Sequence, residues 1–217
     1  MIPFSDLKAK QRAIRSGFSP ELGLRVHRCL SWLERAEMAD GDNDAKFIFL
    51  WISFNAAYAK EMPLDGSFSE KSTTESFFRA ITGLDNDHRI YDAIWDRFPQ
   101  SIRMFINNPY VFYPFWRYQN QLPGSENWSD EFERAKRRFN RALSDRDTRV
   151  VLSMLFERLY VLRNQLVHGG ATWQSSINRD QVRDGASILA CLAPLFADIM
   201  MENADVDWGP PYYPVVE

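Results

Sequence analysis

The chain has 217 residues, of which 45 % are hydrophobic and 25 % are charged, and its formal net charge at pH 7 is −3. This composition excludes a disordered or low-complexity protein, and the length is enough for a domain with its own hydrophobic core. Because no apolar run reaches about 18 residues and the N-terminus lacks a charged region followed by an apolar one, we expect no membrane span, no signal peptide and a cytoplasmic location.

Cysteine and histidine, which are common zinc ligands, are few in this chain. Cys29 and Cys191 both fall in helical apolar patterns, so we interpret them as core residues rather than as a disulfide or a metal pair. The chain has His27, His88 and His168 as its histidines, and from them we expect no zinc constellation. We therefore expect no metal and no cofactor.

Apolar residues recur at helical spacing along the chain, and no alternating strand pattern lies between hairpin turn signals. An all-α fold is therefore predicted. Ser19 followed by Pro20 predicts the start of a helix that runs to about Met38, because serine caps helices and proline favours their first turn. The next predicted helix, over residues 44–60, is apolar on most faces and should be central.

The middle of the chain is less regular. The sequence Ser72-Thr-Thr-Glu75 fits a capping box that opens a short helix ending at Gly83. Helical segments are expected over residues 87–98 and 101–107. The segment Tyr110–Tyr118 is rich in aromatic residues and proline, which predicts a cover over the core or a surface for a second copy. The alternative interpretation is a stacking platform for unpaired bases.

Ser129 predicts the cap of a helix that continues to about Leu143, in a stretch that leans basic. Residues 128–163 contain nine basic and six acidic side chains. Arginine engages two phosphate oxygens at once, so a local basic face can attract a nucleic-acid backbone. The alternative is a solvated surface of paired charges, because acidic residues lie one turn before the arginines. The acidic residues are Asp130, Glu131 and Glu133, and the arginines are Arg134, Arg137 and Arg138.

A polar stripe runs along the next predicted helix, over residues 146–168, which is otherwise apolar almost all round. Steps of three and four residues place Glu157, Tyr160, Asn164 and His168 on one face, whereas Arg163 lies about 140° from His168. Buried polar groups need partners, so these side chains either satisfy one another or face a cleft. A histidine that interacts with the helix dipole, beside an Arg and an Asn in a structural network, is the alternative.

The last predicted helix covers about residues 178–203 and contains Pro194, which predicts a bend or a break. Residues 204–217 are rich in proline and aromatic residues. We expect them to form an extended tail.

Arg163, four intervening residues and His168, with Asn164 directly after the arginine and glycines after the histidine, resemble the R-x4-6-H motif of the HEPN family. The name stands for nucleotide-binding domains of higher eukaryotes and prokaryotes. The resemblance covers about residues 20–60 and 146–203. It implies one HEPN-like antiparallel helical bundle over residues 1–203, with a helical and aromatic insertion over about 61–145.

The resemblance implies a metal-independent endoribonuclease that leaves 2′,3′-cyclic phosphate and 5′-hydroxyl ends. His168 would act as general acid or base, Arg163 would stabilise the phosphorane, and Asn164 would orient the ring or bind phosphate. Glu157 and Tyr160 would support them. The implied partners are RNA, a second copy that supplies another motif histidine, and, for a toxin or defence component, a nucleotidyltransferase-like antitoxin.

Two other functions stay open at this point. One is a non-catalytic HEPN-like module that binds RNA, a nucleotide or a protein, since a fold does not guarantee an activity. The other is a structural helical adaptor in which the motif is a packed polar network. An exposed His168 in a basic cleft would favour the ribonuclease or the binding module, and a His168 enclosed by apolar neighbours would favour the adaptor.

Overall fold

The computed structural model describes residues 2–59, 70–213 and 215. Within these ranges the regular secondary structure is helical and contains no strand, so the predicted all-α fold is confirmed. The first part of the predicted insertion, residues 61–69, lies outside the described residues. The α-helices are α1 (Phe4–Ile14), α2 (Pro20–Glu37), α3 (Asn43–Tyr58), α4 (Glu70–Leu84), α5 (Arg89–Asp92), α6 (Pro99–Ile106), α7 (Tyr113–Gln119), α8 (Trp128–Ser144), α9 (Thr148–Val167) and α10 (Arg179–Glu202).

The chain forms two compact units. Unit 1 comprises Met1–Ile90 and Gly185–Glu217, and unit 2 comprises Tyr91–Asp184. A single HEPN-like domain over residues 1–203 stays a prediction, because compact units of this kind also occur within one domain.

Side-chain caps explain where several helices begin. The Ser19 hydroxyl accepts a hydrogen bond from the Leu22 N–H at 3.2 Å, as the sequence predicted. Asp147 caps α9 in the same way, through the Val150 N–H at 3.0 Å. Ser129 was wrongly predicted as a cap, since α8 begins at Trp128 and its preceding residue makes no side-chain cap bond. Helix α4 likewise begins at Glu70, before the predicted capping box.

The core of unit 1 is aromatic. Helices α2 and α3 pack along each other as a hairpin, and the rings of α3 and α4 contact Phe196 of α10 in tilted and edge-on arrangements. Trp208 closes this core from the C-terminal tail, where its indole N–H donates to the Asn203 carbonyl at 3.0 Å. The described part of the tail, up to residue 213, contains no helix, as predicted. The rings in contact are Phe54, Tyr58, Phe77, Phe78, Phe196 and Trp208.

A group of four charged side chains lies at the edge of unit 1. Lys10 and Arg89 both bind Asp198 and Glu202. Burial acts to raise the pKa of Glu202, but the hydrogen bonds and charges of Lys10 and Arg89 outweigh it and hold that pKa below its ordinary value. This arrangement ties α1, α5 and α10 together.

Helix α10 continues through Pro194, so the predicted break is not present, and the bend given as its alternative stays a prediction. By length and composition it is the one described helix that could cross a membrane, but 89 % of its most apolar window is buried inside the protein. A core helix of a water-soluble protein has the same properties.

In unit 2, helices α6 and α8 and a 3-10 turn at Pro109–Val111 pack against α9, and α7 packs against α8. Helix α9 therefore forms the centre of this unit. It carries the predicted motif at its C-terminal end.

Candidate active site

Helix α9 is buried along most of its length. Its apolar side chains pack on several sides, as the sequence predicted, and burial ends at Leu162. From Arg163 onward the side chains are half-buried and then exposed. The motif thus lies where the central helix leaves the interior. The buried residues are Val151, Leu152, Met154, Leu155, Phe156, Arg158, Leu159, Val161 and Leu162.

Two glycines determine where the helix stops and hence where the histidine lies. Gly169 has φ +71°, a backbone conformation that favours glycine. The Gly170 N–H donates to the Gln165 carbonyl at 2.7 Å, and the Gly169 N–H donates to the Leu166 carbonyl at 3.4 Å. This pair of bonds is a Schellman motif. It makes His168 the C-cap residue directly after Val167, with its side chain exposed.

The three catalytic candidates are only partly brought together. The Arg163 guanidinium donates to the Asn164 side-chain oxygen at 2.9 Å, and both residues are half-buried. The His168 imidazole makes no hydrogen bond or ion pair with any other residue described in the structure. Arg163, hydrogen-bonded to the Asn164 amide, and the accessible imidazole of His168 therefore lie at the same end of the helix.

Glu157 and Tyr160 are exposed on the same helix, but well before its end. At about 1.5 Å per residue they lie about 16 Å and about 12 Å along the axis from His168. Neither would touch a phosphate group that His168 also touches. Their predicted supporting role requires a substrate or a second chain that extends along the helix.

Gln165 was not identified from the sequence, although it lies inside the motif. Its amide donates to the Tyr110 carbonyl at 2.5 Å, and the Trp116 indole N–H donates to the same oxygen at 2.7 Å. The aromatic segment is therefore anchored to the motif helix. Its tyrosines stay accessible, with Tyr110 59 % exposed and Tyr113 60 % exposed. These rings are available for contacts with another molecule.

Arg158 was counted among the basic residues of the stretch 128–163, but no role was predicted for it, because it lies in an apolar run of α9. Its side chain is buried, and its guanidinium lies over the Phe112 ring at 4.2 Å and near the Phe132 ring at 5.6 Å. Burial lowers its pKa to about 10, so it remains charged at neutral pH. Stacking of this kind fastens the aromatic segment and α8 to the motif helix.

An open cleft of about 890 Å³ lies elsewhere in unit 2. Its lining includes Arg103, Met104, Tyr110, Ile177 and Asp180. None of the five predicted site residues lines this cleft, and Tyr110 connects it to the motif helix through the bond from Gln165. The motif itself lies at the helix end, outside this cleft.

Among residues 2–59 and 70–213, no group of three or more His, Cys, Asp or Glu side chains is arranged to hold a metal ion. Comparison of the chain with protein-family models, with curated proteins and with solved structures found no match. The all-α fold class rests on the helices described above, and the function is inferred from the site.

Proposed function

We propose that the protein is a metal-independent endoribonuclease of HEPN type, with Arg163, Asn164 and His168 as its catalytic residues. The observation that carries this proposal is the exposure of His168 at the end of a buried helix, five residues after an arginine that is hydrogen-bonded to its neighbouring amide. An exposed imidazole is accessible to substrate. A packed structural network would enclose it.

The reaction needs one proton acceptor, one proton donor and one positive charge. A base removes the proton from a ribose 2′-hydroxyl, the 2′-oxygen forms a bond to the adjacent phosphorus, and the bond from phosphorus to the 5′-oxygen breaks. An acid then gives a proton to the departing 5′-oxygen. The products carry a 2′,3′-cyclic phosphate and a 5′-hydroxyl, and no electrons are exchanged.

Each motif residue suits one of these tasks. Imidazole both accepts and donates protons near neutral pH, which fits His168 for acid or base catalysis. Arg163 would stabilise the extra negative charge on the phosphorane oxygens. Asn164 accepts a hydrogen bond from Arg163 at 2.9 Å, and it would hold the guanidinium in position.

One motif contains one histidine, whereas the reaction uses an acid and a base at once. A two-fold dimer that brings two motifs together supplies both, which agrees with the family resemblance. We therefore expect a homodimer in solution with the C-terminal ends of the two α9 helices near its axis. A monomer at micromolar concentration in sedimentation experiments would contradict two-histidine catalysis.

Cleavage of a mixed RNA pool in the presence of EDTA tests the proposal. We expect His168→Ala and Arg163→Ala each to lower the cleavage rate by about a hundredfold or more, because each removes a group that acts on the transition state. Asn164→Ala should cost less. Mass spectrometry should find cyclic phosphate ends, and an oligonucleotide without 2′-hydroxyls should stay intact.

The chain offers matched controls. His27 and Arg12 are exposed residues on other helices, so His27→Ala and Arg12→Ala should cleave RNA at the wild-type rate. Full cleavage by His168→Ala, or loss of activity with EDTA, would contradict the mechanism. RNA binding without cleavage by the wild type would instead support a non-catalytic module.

A further inference from the structure

Four arginines on α8 have no ion-pair partner among the residues that the structure describes. Arg134, Arg137, Arg138 and Arg141 are all exposed, and none of them makes a salt bridge or a side-chain hydrogen bond with another residue in the described ranges. The paired-charge interpretation of this helix is therefore wrong for the arginines. The one salt bridge that the structure records within α8 joins Lys136 to Glu133 at 2.8 Å.

These arginines share one face of the helix. At about 100° per residue they fall within a sector of about 100°, and Arg134 and Arg141 lie about 10 Å apart along the axis. The buried residues of α8, Phe132, Phe139 and Ala142, point roughly 130° away from the centre of this sector. We call the four arginines the α8 arginine face.

Like charges close together in water repel one another, so a folded chain gains nothing from such a row by itself. Acidic neighbours do not neutralise it. Asp130 and Asp145 lie in the same sector only at its two ends, and the structure records no salt bridge from either to this face. The row suits a ligand with regularly spaced negative charges.

We propose that the α8 arginine face binds the sugar-phosphate backbone of RNA. The choice of RNA rests on the proposed ribonuclease function, and α8 packs directly against the motif helix α9 in the same unit. Arginine engages two phosphate oxygens with its planar fork, and a row of four contacts several successive phosphates. Such contacts hold a substrate without reading its sequence.

The burial of α8 argues against an anionic membrane as the ligand. Helices that lie on membranes insert their apolar face between the lipids. The apolar face of α8 is already buried within unit 2, since Phe132 and Phe139 are 9 % and 2 % exposed. Only the charged face is free, which favours a polyanion in solution.

The test measures binding separately from cleavage. Fluorescence anisotropy of labelled single-stranded RNA is followed over a salt series with the His168→Ala protein, which leaves the RNA intact. If each arginine neutralises one phosphate, the four contribute about 2.8 to the slope of log affinity against log salt. That slope corresponds to about 50-fold weaker binding between about 50 and about 200 mM salt.

Glutamine keeps the polarity and helix propensity of these residues without their charge. Replacing all four arginines by glutamine should remove about 2.8 from the slope, and Arg134→Gln with Arg138→Gln should remove about 1.4. Lys136→Gln is the matched control, because it removes one charge from the same helix outside the arginine face. It should leave the slope unchanged. Single-stranded DNA should compete with RNA, since the contacts are to phosphates.

An unchanged slope in the fourfold variant would overturn the proposal. A complete lack of RNA binding would also overturn it. Binding to phosphatidylserine vesicles or to polyglutamate would overturn it as well, if that binding matches RNA in affinity and depends on the same arginines. A wild-type protein that never cleaves RNA but binds it through this face would refute the ribonuclease and support the arginine face. Cleavage that persists with an unchanged KM in the fourfold variant would refute the arginine face and support the ribonuclease.

Discussion

The burial of Arg25 gives the sharpest stability prediction. This side chain is fully buried on the apolar face of α2, and its guanidinium hydrogen-bonds only to backbone carbonyls. Nε donates to Gly209 at 3.0 Å, Nη2 to Pro210 at 2.7 Å, and Nη1 to Ala57 at 3.0 Å and Ala59 at 2.9 Å. Burial lowers its pKa to about 10. One charge thereby joins the end of α3 to the C-terminal tail.

Arg25→Met keeps most of the apolar stem and removes every donor. The carbonyls of Ala57 and Gly209 then stay buried without a partner, at a cost of about 1 to 3 kcal/mol each. The carbonyls of Ala59 and Pro210 are only partly buried and can bind water. Because methionine also avoids the cost of burying a charge, we expect a net loss of about 3 kcal/mol.

Urea denaturation followed by circular dichroism measures this loss. With a denaturant slope of about 2 kcal/mol/M, the midpoint should fall by about 1.5 M. The tail should also become more accessible, so chymotrypsin should cut after Tyr212 faster than in the wild type; the bond after Tyr213 resists it because Pro214 follows. Tyr212 is already 38 % exposed, so the cleavage rate reports on how firmly the backbone of the tail is held.

Arg28→Met is the matched control for Arg25. It removes the same charge from the same helix, but its hydrogen bond to the Tyr213 carbonyl is exposed. We expect a loss below about 1 kcal/mol. Equal midpoint shifts for the two variants, or an Arg25→Met midpoint equal to that of the wild type, would refute the argument from buried carbonyls.

Three further predictions concern single groups. Gly169→Ala should cost about 1 kcal/mol in thermal unfolding because φ is +71° there, whereas Gly23→Ala inside α2, where a Cβ meets nothing within 4 Å, should stabilise. Glu202→Gln should lower stability by less than about 1 kcal/mol at pH 7. That difference in stability should vanish in acid titrations. A carboxylate with a lowered pKa stabilises the folded state above its unfolded-state pKa, and this stabilisation is lost as the pH falls through the folded-state pKa. Burial raises the pKa of the Cys29 thiol to about 11, so it should react with a thiol reagent only after unfolding.

Local sequence patterns were enough to predict the fold class and much of the candidate site. The Ser19 cap and the apolar periodicity of α2, α3 and α9 depend on residues within a few positions of one another, and such short-range effects can be recognised without coordinates. The glycines after His168 are also a short-range signal. They stop the helix by a backbone conformation that glycine favours, so the position of the motif at a helix end was predictable.

Contacts between distant segments were decided only by the tertiary structure. Arg25 lies on an apolar face, and its partners Gly209 and Pro210 follow about 185 residues later, so nothing near it in sequence explains its burial. Helix α10 passes through Pro194 because it is packed on almost every side, which outweighs one missing hydrogen bond. The arginines of the α8 arginine face have acidic residues one turn away in sequence, yet none of them forms a salt bridge within the described part of the chain. Side-chain pairing depends on rotamers and on tertiary neighbours, which helical spacing alone does not determine.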